Sequence, residues 1–274
     1  MNIKDFTFII VTYKSEKLIF SCLKELPKKS HKIVIENSSN FKLKHKLEKS
    51  FNNTKCYIMR ENLGYGRANN YGIKKAKTQY VFIINPDVIL KFKIFLKIIK
   101  ILKNEKFSLA GLLEKGDNFN FENKLVLERD HLKGFAMIIN KKKMSSLFDE
   151  NIFLYLEEID LCKRIKKKNG RIIVLNIKVP HLGGLSHEKK YEIEMEKSRN
   201  WHWMWSKFYF NQKHNNYLYA FLITFPNFFS SLIKLIFFII LNNKKNINKY
   251  KMRSSGLLNA FLKKKSFYRP FSDN

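Results

Sequence analysis

Short β-branched and aromatic runs alternate with segments of helically spaced apolar residues through the first half of this chain. That alternation restricts the fold more than any other feature. Phe6 to Tyr13 has the length and composition of a strand. Leu18, Ile19, Cys22, Leu23 and Leu26 then recur at helical spacing, and Pro27 stops the helix. Lys32 to Glu36 predicts a second buried strand, closed by the turn-forming Asn37-Ser38-Ser39-Asn40. Lys55 to Met59 and Tyr80 to Ile84 read as the third and fourth strands, with a helix over Ala68 to Ala76 between them. The expected fold class is α/β, a mostly parallel sheet flanked by helices, with ligands at the carboxyl ends of the strands.

Beyond Pro86-Asp87, Lys91 to Lys103 predicts a basic amphipathic helix with Phe95, Ile98, Ile99 and Leu102 on one stripe. Residues 107 to 130 read as loop-rich. A strand over Gly134 to Ile139, a helix over Leu156 to Lys168 and a strand over Arg171 to Leu175 follow, with Gly170 at the helix C-cap. Composition changes near residue 200, where Trp201, Trp203 and Trp205 cluster. The 25 residues from Tyr217 to Leu241 carry one charge, Lys234. As one helix they would reach about 37 Å, enough to cross a bilayer. Pro226-Asn227 and Ser230-Ser231 interrupt them, so two segments lying in the interface compete with one kinked span and with a buried hairpin. The tail beyond Leu241 is strongly basic, with little core pattern except Leu257, Leu258, Phe261 and Leu262. The expected division is 1–200, with halves 1–106 and 107–200, and a membrane-associated region 201–274.

Lys and Arg total 53 against 23 Asp and Glu, a formal net charge of +30. Only 8 of those cations are Arg, the residue suited to bidentate base and phosphate contacts. Nucleic acid is therefore not the expected partner, and an anionic membrane surface is. Cys22, Cys56 and Cys162 form no CxxC spacing, which points to a reducing compartment. Phe6 to Val11 is too short for a secretory signal, so the expected location is cytoplasmic, peripheral or monotopic at the inner membrane face.

Four constellations carry chemistry. Asn62-Leu63-Gly64-Tyr65-Gly66-Arg67-Ala68-Asn69-Asn70-Tyr71-Gly72 is a glycine turn at a helix start, whose N–H groups suit a diphosphate, with Arg67 as an added cation. It lacks the third glycine of the dinucleotide fingerprint and follows the third strand, which argues against a dehydrogenase. Asn85-Pro86-Asp87 holds an acid beyond a strand end, either as a turn residue or as a ligand for Mg²⁺ or Mn²⁺. Glu157, Glu158 and Asp160 open a helix, where they either complement its dipole or act on substrate. Glu158 falls at the margin of the apolar face, the place where a carboxylate's pKa rises and it can serve as a base. His181, in His181-Leu182-Gly183-Gly184-Leu185-Ser186-His187, becomes a metal ligand only beside a partner such as Asp87.

In this order the motifs resemble glycosyltransferase family 2, in particular its rhamnosyltransferase-like branch that builds bacterial surface polysaccharides. Ile10 to Ser15 resembles the family's first strand, Val34 to Ser39 its valine-aspartate-asparagine turn, and Asn62 to Gly72 its Asn-x-Gly segment. Asn85-Pro86-Asp87 resembles its metal signature, Phe148 to Arg164 its acidic helix, and His181 its closing histidine motif. The resemblance implies a GT-A fold and an inverting transfer of rhamnose or another hexose. The donor would be a nucleotide-diphosphate sugar and the acceptor a glycan or lipid-linked hydroxyl. It also implies that Thr12, Tyr13 and Glu36 touch base and ribose, with Asn62, Gly64, Arg67, Asn70 and Asn85 nearby. Asp87 and His181 would hold the divalent cation, and Glu158 would be the base. Glu stands at both 36 and 158 where the family carries Asp.

Overall fold

Phe6, Phe8 and Ile10 enter one buried cluster while Ile9, between them, enters another. A strand buried on alternating sides lies inside a sheet covered on both faces. This strand is β1 (Phe6–Thr12) of the computed structural model, which describes residues 1–181 and 189–271. With β2 (His31–Glu36), β3 (Thr54–Ile58), β4 (Tyr80–Ile84), β5 (Leu109–Glu114), β6 (Val126–Glu128), β7 (Ala136–Asn140) and β8 (Ile172–Val179) it forms one sheet. The sheet has eight strands in the order β3-β2-β1-β4-β7-β5-β8-β6. β7 is antiparallel to β4 and β5, and β6 is antiparallel to β8; the other pairs are parallel.

Helices α1 (Glu16–Glu25), α2 (Phe41–Ser50), α3 (Tyr65–Lys75), α4 (Phe92–Leu102) and α5 (Glu157–Lys166) cover it. α1, α2 and α4 bury Ile19, Leu43 and Phe95 with Phe8, while α3 and α5 bury Ala68 and Leu161 with Ile9. Phe95 meets the Phe8 ring edge-on, 5.0 Å between centroids.

Two sequence expectations change. The stretch 107–130 contains β5 and β6, and α2 fills the link between β2 and β3. At the end of α5 the left-handed residue is Asn169 (φ 58°), not Gly170. Gly170 follows it and donates its N–H to the Ile165 carbonyl at 2.9 Å, completing a Schellman-type cap.

Contacts divide the chain into two units, Met1–Asp149 with Glu158–Glu188 and Glu150–Glu157 with Lys189–Asn274. The second contains α6 (Glu192–His214), α7 (Tyr217–Ile240) and α8 (Lys244–Phe261). Pro226 lies inside α7, and the helix continues through it. α8 approaches α6 closely: a Cβ at Gly256 would lie 2.4 Å from the Trp201 carbonyl oxygen. Trp201 and Trp205 are core residues of this unit, and only Trp203 is exposed. The basic tail thus carries a packed helix with Leu257 and Ala260 inside, and Leu258 and Leu262 outside.

Candidate active site

Strand order reverses between β1 and β4, so their carboxyl ends open the crevice where open α/β sheets bind ligands. Thr12 ends β1, fully buried, with Oγ1 2.8 Å from Ser15 Oγ, which also accepts the Tyr13 N–H at 3.2 Å. Glu36 ends β2 and is also fully buried. One of its carboxylate oxygens accepts the Ser38 N–H at 3.0 Å and the Ser38 hydroxyl; the other accepts the Asn40 N–H at 2.6 Å. Asn40 then caps α2 through the Leu43 N–H at 2.9 Å. The side chain curls back over its own turn and supports the loop between β2 and α2 from beneath.

The second loop of the crevice is fastened to the first. Asn37 Nδ2 donates to the Gly64 carbonyl at 3.1 Å, and Asn62 Oδ1 accepts the Gly64 N–H at 3.0 Å. Gly64 sits at φ 76° as the N-cap of α3, a conformation glycine adopts without Cβ strain. Arg67 is exposed and pairs with Glu61 at 3.3 Å. Asn70 turns inward: it donates to the Phe148 carbonyl at 2.9 Å and accepts the Phe148 N–H at 3.0 Å.

After β4, the Asn85 N–H donates to the Phe135 carbonyl at 2.9 Å, and the turn delivers Asp87, nearly buried. A backbone bridge between Val88 and His181 brings in the end of β8. His181 Nε2 lies 3.5 Å from Asp87 Oδ1, and Nδ1 lies 3.1 Å from Glu114 Oε2. The Phe135 ring stacks on the imidazole, 4.6 Å between centroids. Lys133 pairs with Glu114 and holds its carboxyl below the usual carboxylate range. Leu182 to His187, the rest of the histidine motif, lies outside the described residues.

The acidic helix begins under strain. Tyr155 and Leu156 both occupy the left-handed region, at φ 69° and 67°, directly before α5. Such backbone costs about 1–3 kcal/mol per residue and collects at functional sites. Asp160 is fully buried and accepts from Arg164 Nε at 2.8 Å, an ion pair one helical turn along α5. Glu157 is buried as well. Glu158 is half-buried, and desolvation pushes its carboxyl pKa up. A Cβ built on Gly134 would lie 3.6 Å from both Glu158 Cβ and Tyr65 Cε1, and the Tyr65 hydroxyl donates to the Gly134 carbonyl at 2.5 Å. Gly134 therefore faces Glu158 while its neighbour Phe135 carries His181. One dipeptide thus adjoins both the Glu158 side chain and the His181 ring.

A sequence profile described as "Glycosyl transferase family 2" matches residues 7–176. The chain belongs to that family. The low-salt glycan biosynthesis hexosyltransferase Agl10 of Haloferax volcanii is 24% identical to this family member over 200 residues, 61% of this chain and 64% of the relative. The chain thus spans less than two thirds of that relative's length. Among solved structures, S. aureus TarS 1-349 in complex with UDP aligns with TM-score 0.55 at 14% identity, covering 96% of this chain and 93% of that one. The mannosyltransferase PcManGT from Pyrobaculum calidifontis, in complex with GDP-Man and Mn²⁺, aligns with TM-score 0.57 at 13% identity, covering 96% and 87%. The GT-A architecture expected of a family 2 member is thereby shown.

The donor set fits a divalent cation. Two ligands each about 2.1 Å from one metal, at angles between octahedral and tetrahedral, stand about 3.0–3.4 Å apart. Asp87 Oδ1 and His181 Nε2 are separated by 3.5 Å, wider than a good hydrogen bond and close to that span. Among the described residues no group of three or more His, Cys, Asp and Glu gathers around one point. A cation here would complete its shell from phosphate and water, as Mg²⁺ and Mn²⁺ commonly do. Sequence reasoning missed Glu114, Gly134 and Phe135, because no motif marks them and only strand pairing brings them in.

Proposed function

We propose that this family 2 member is an inverting hexosyltransferase, moving a hexose from a nucleoside-diphosphate donor to a hydroxyl of a lipid-linked or surface glycan. The observation that carries this reading is that adjacent residues touch both parts of the site, Gly134 against Glu158 and Phe135 against the His181 ring of the Asp87–His181 pair. The names of the relatives support the donor class: UDP accompanies TarS, and GDP-Man with Mn²⁺ accompanies PcManGT. The Agl10 name supports glycan assembly.

In this reading Asp87 and His181 hold a divalent cation, which when bound stabilises the charge of the departing diphosphate. Glu158 takes the proton from the acceptor hydroxyl as its oxygen bonds to the anomeric carbon. The bond from that carbon to the diphosphate breaks on the opposite side, the electron pair leaves with the nucleoside diphosphate, and the configuration inverts. A base with a raised pKa suits this task, because its proton affinity lies nearer the working pH. The bonds of Asn37 and Asn62 to Gly64 shape the loop beside the diphosphate.

The α7 helix lies in a membrane surface rather than across it, in this proposal. At about 100° per residue, Leu218, Leu222, Phe225, Phe229, Ile233, Ile236 and Ile240 share an arc of about 80°, and all are exposed. Buried Ala220, Thr224 and Ser231 occupy the opposite side. α8 runs along that side, from the Tyr217 hydroxyl on the Phe261 carbonyl at 3.0 Å to the Phe238–Tyr250 stack at 5.6 Å. A spanning α7 would pull Lys249, Lys251 and Arg253 of α8 into hydrocarbon, at roughly 3 kcal/mol each. Lying in the interface avoids that cost and sets the basic helix beside anionic headgroups. The proposed membrane-associated region is 201–274.

Thermal-shift and product assays with UDP- and GDP-hexoses test the enzyme reading. It predicts Mn²⁺-dependent stabilisation by one donor and release of its nucleoside diphosphate. A protein that binds and turns over neither class contradicts it.

A further inference from the structure

β5 and β8 start in simple register, Gly111 opposite Val174, but Leu113 stands opposite Lys178 and Glu114 opposite Val179. The irregularity advances β8 by two residues against β5. Unshifted pairing would set Glu114 opposite Ile177 and leave His181 beyond its reach. Because the slip is even, inward and outward faces of β8 are kept while its end moves toward Glu114. The result is the 3.1 Å contact between Glu114 Oε2 and His181 Nδ1.

Three further contacts hold this arrangement. The Glu114 N–H donates to Asp117 Oδ2 at 3.0 Å, Lys133 Nζ donates to Asp117 Oδ1 at 2.7 Å, and Lys133 also donates to Glu114. Phe135 fixes the plane of the imidazole, its ring tilted only 12° from it. With Nδ1–H donated to Glu114, the lone pair of the neutral ring sits on Nε2, the nitrogen facing Asp87. Glu114 meets the other edge of the ring, so it is an outer partner of the pair rather than a third donor to it.

We propose that Glu114 is a positioning residue that selects the Nδ1–H tautomer of His181 and aims Nε2 at the divalent cation shared with Asp87. This rests on the metal-assisted reading above. A carboxylate or carbonyl behind a metal-bound histidine typically governs about 10–100-fold in metal affinity.

The test is a Mn²⁺ titration of the full chain in the presence of UDP or GDP, with free Mn²⁺ followed by electron paramagnetic resonance. Glu114→Ala is expected to weaken Mn²⁺ binding about 10–100-fold while metal-free nucleotide affinity is unchanged. Glu114→Gln keeps a carbonyl acceptor for Nδ1–H and is expected to recover most of the loss. Equal Mn²⁺ affinity in wild type and folded Glu114→Ala overturns the role of Glu114 alone. A wild-type chain that takes up no Mn²⁺ with either nucleotide overturns the metal-assisted reading and this inference together. Long-range ¹⁵N–¹H spectra of the wild type with Mg²⁺ and nucleotide give a readout independent of any variant's folding. They are expected to show His181 protonated at Nδ1, and a proton on Nε2 with none on Nδ1 overturns the proposal.

Discussion

Asn70 and Phe148 exchange two hydrogen bonds, 2.9 Å from Asn70 Nδ2 to the Phe148 carbonyl oxygen and 3.0 Å from the Phe148 N–H to Asn70 Oδ1. The pair ties α3, which begins at the glycine loop, to the chain just before the acidic segment. Asn70 is almost completely buried, so the amide is committed to this clamp. Asn70→Ala leaves the Phe148 backbone groups without these partners and is expected to destabilise the fold by about 2–4 kcal/mol. Urea unfolding of the two proteins checks the figure, and an unchanged midpoint would count against the clamp.

His202 supplies a pH dependence. It is fully buried, with Nε2 2.8 Å from the Tyr268 carbonyl oxygen and Nδ1 3.1 Å from Ser266 Oγ. Burial pulls its pKa down from 6.5 to about 3. The unfolded chain then binds the proton first as pH falls, so the stabilisation is complete above about pH 6.5 and drains away toward pH 3. The slope for this group is about 1.4 kcal/mol per pH unit. All three tryptophans lie in the same unit, so their fluorescence reports its unfolding. His202→Gln is expected to have a flatter pH profile than wild type; parallel profiles would contradict the assignment.

Those two residues show what was legible in the sequence. The β-branched and aromatic composition of Phe6 to Tyr13 made β1 readable, as did the run Tyr80 to Ile84 for β4. α2 escaped because it buries only Leu43 and Leu47 and leaves Phe41 exposed, which is too thin a stripe to register against its lysines. β5 escaped because Gly111 and a following turn gave Leu109 to Glu114 the look of a loop. At the site, Asp87, His181 and Glu158 stood in recognisable motifs. Glu114 and Gly134-Phe135 acquire meaning only through the β5–β8 slip and the β4–β7 pairing, which couple residues far apart in the chain. Asn70 was assigned toward the nucleotide, and its amide also bonds to the backbone of Phe148, 78 residues away, which no sequence pattern placed beside it.

The exposed stripe of α7 yields a prediction for the membrane surface. Replacing Phe225, Phe229 and Ile233 with Ser removes apolar contact area without touching the buried Ala220, Thr224 and Ser231 face. Co-sedimentation with vesicles containing anionic lipid is expected to fall at least tenfold, since burying one such side chain is worth about 1.5–3 kcal/mol. Thermal stability in lipid-free buffer should stay close to wild type. Binding that persists in the triple variant would place the membrane contact elsewhere.

Glu158→Gln should also be more stable than wild type near neutral pH. Burial raises the folded-state pKa of this carboxyl above its ordinary 4.5. Its contribution to stability is therefore greatest below the unfolded value and is lost as pH rises through the folded one. Gln removes the charge that the folded state is disfavoured to carry. A higher melting temperature at pH 7 than at pH 4, relative to wild type under the same conditions, is the expected pattern; no change at either pH would contradict it.

Sugar transfer by Glu158→Gln, measured with the donor that stabilises the protein, decides whether Glu158 is the base. Donor and Mn²⁺ binding are expected to be unchanged, with transfer lower by about 10²–10⁴-fold, the range a general base supplies. Transfer within about threefold of wild type would show that Glu158 does not take the acceptor's proton.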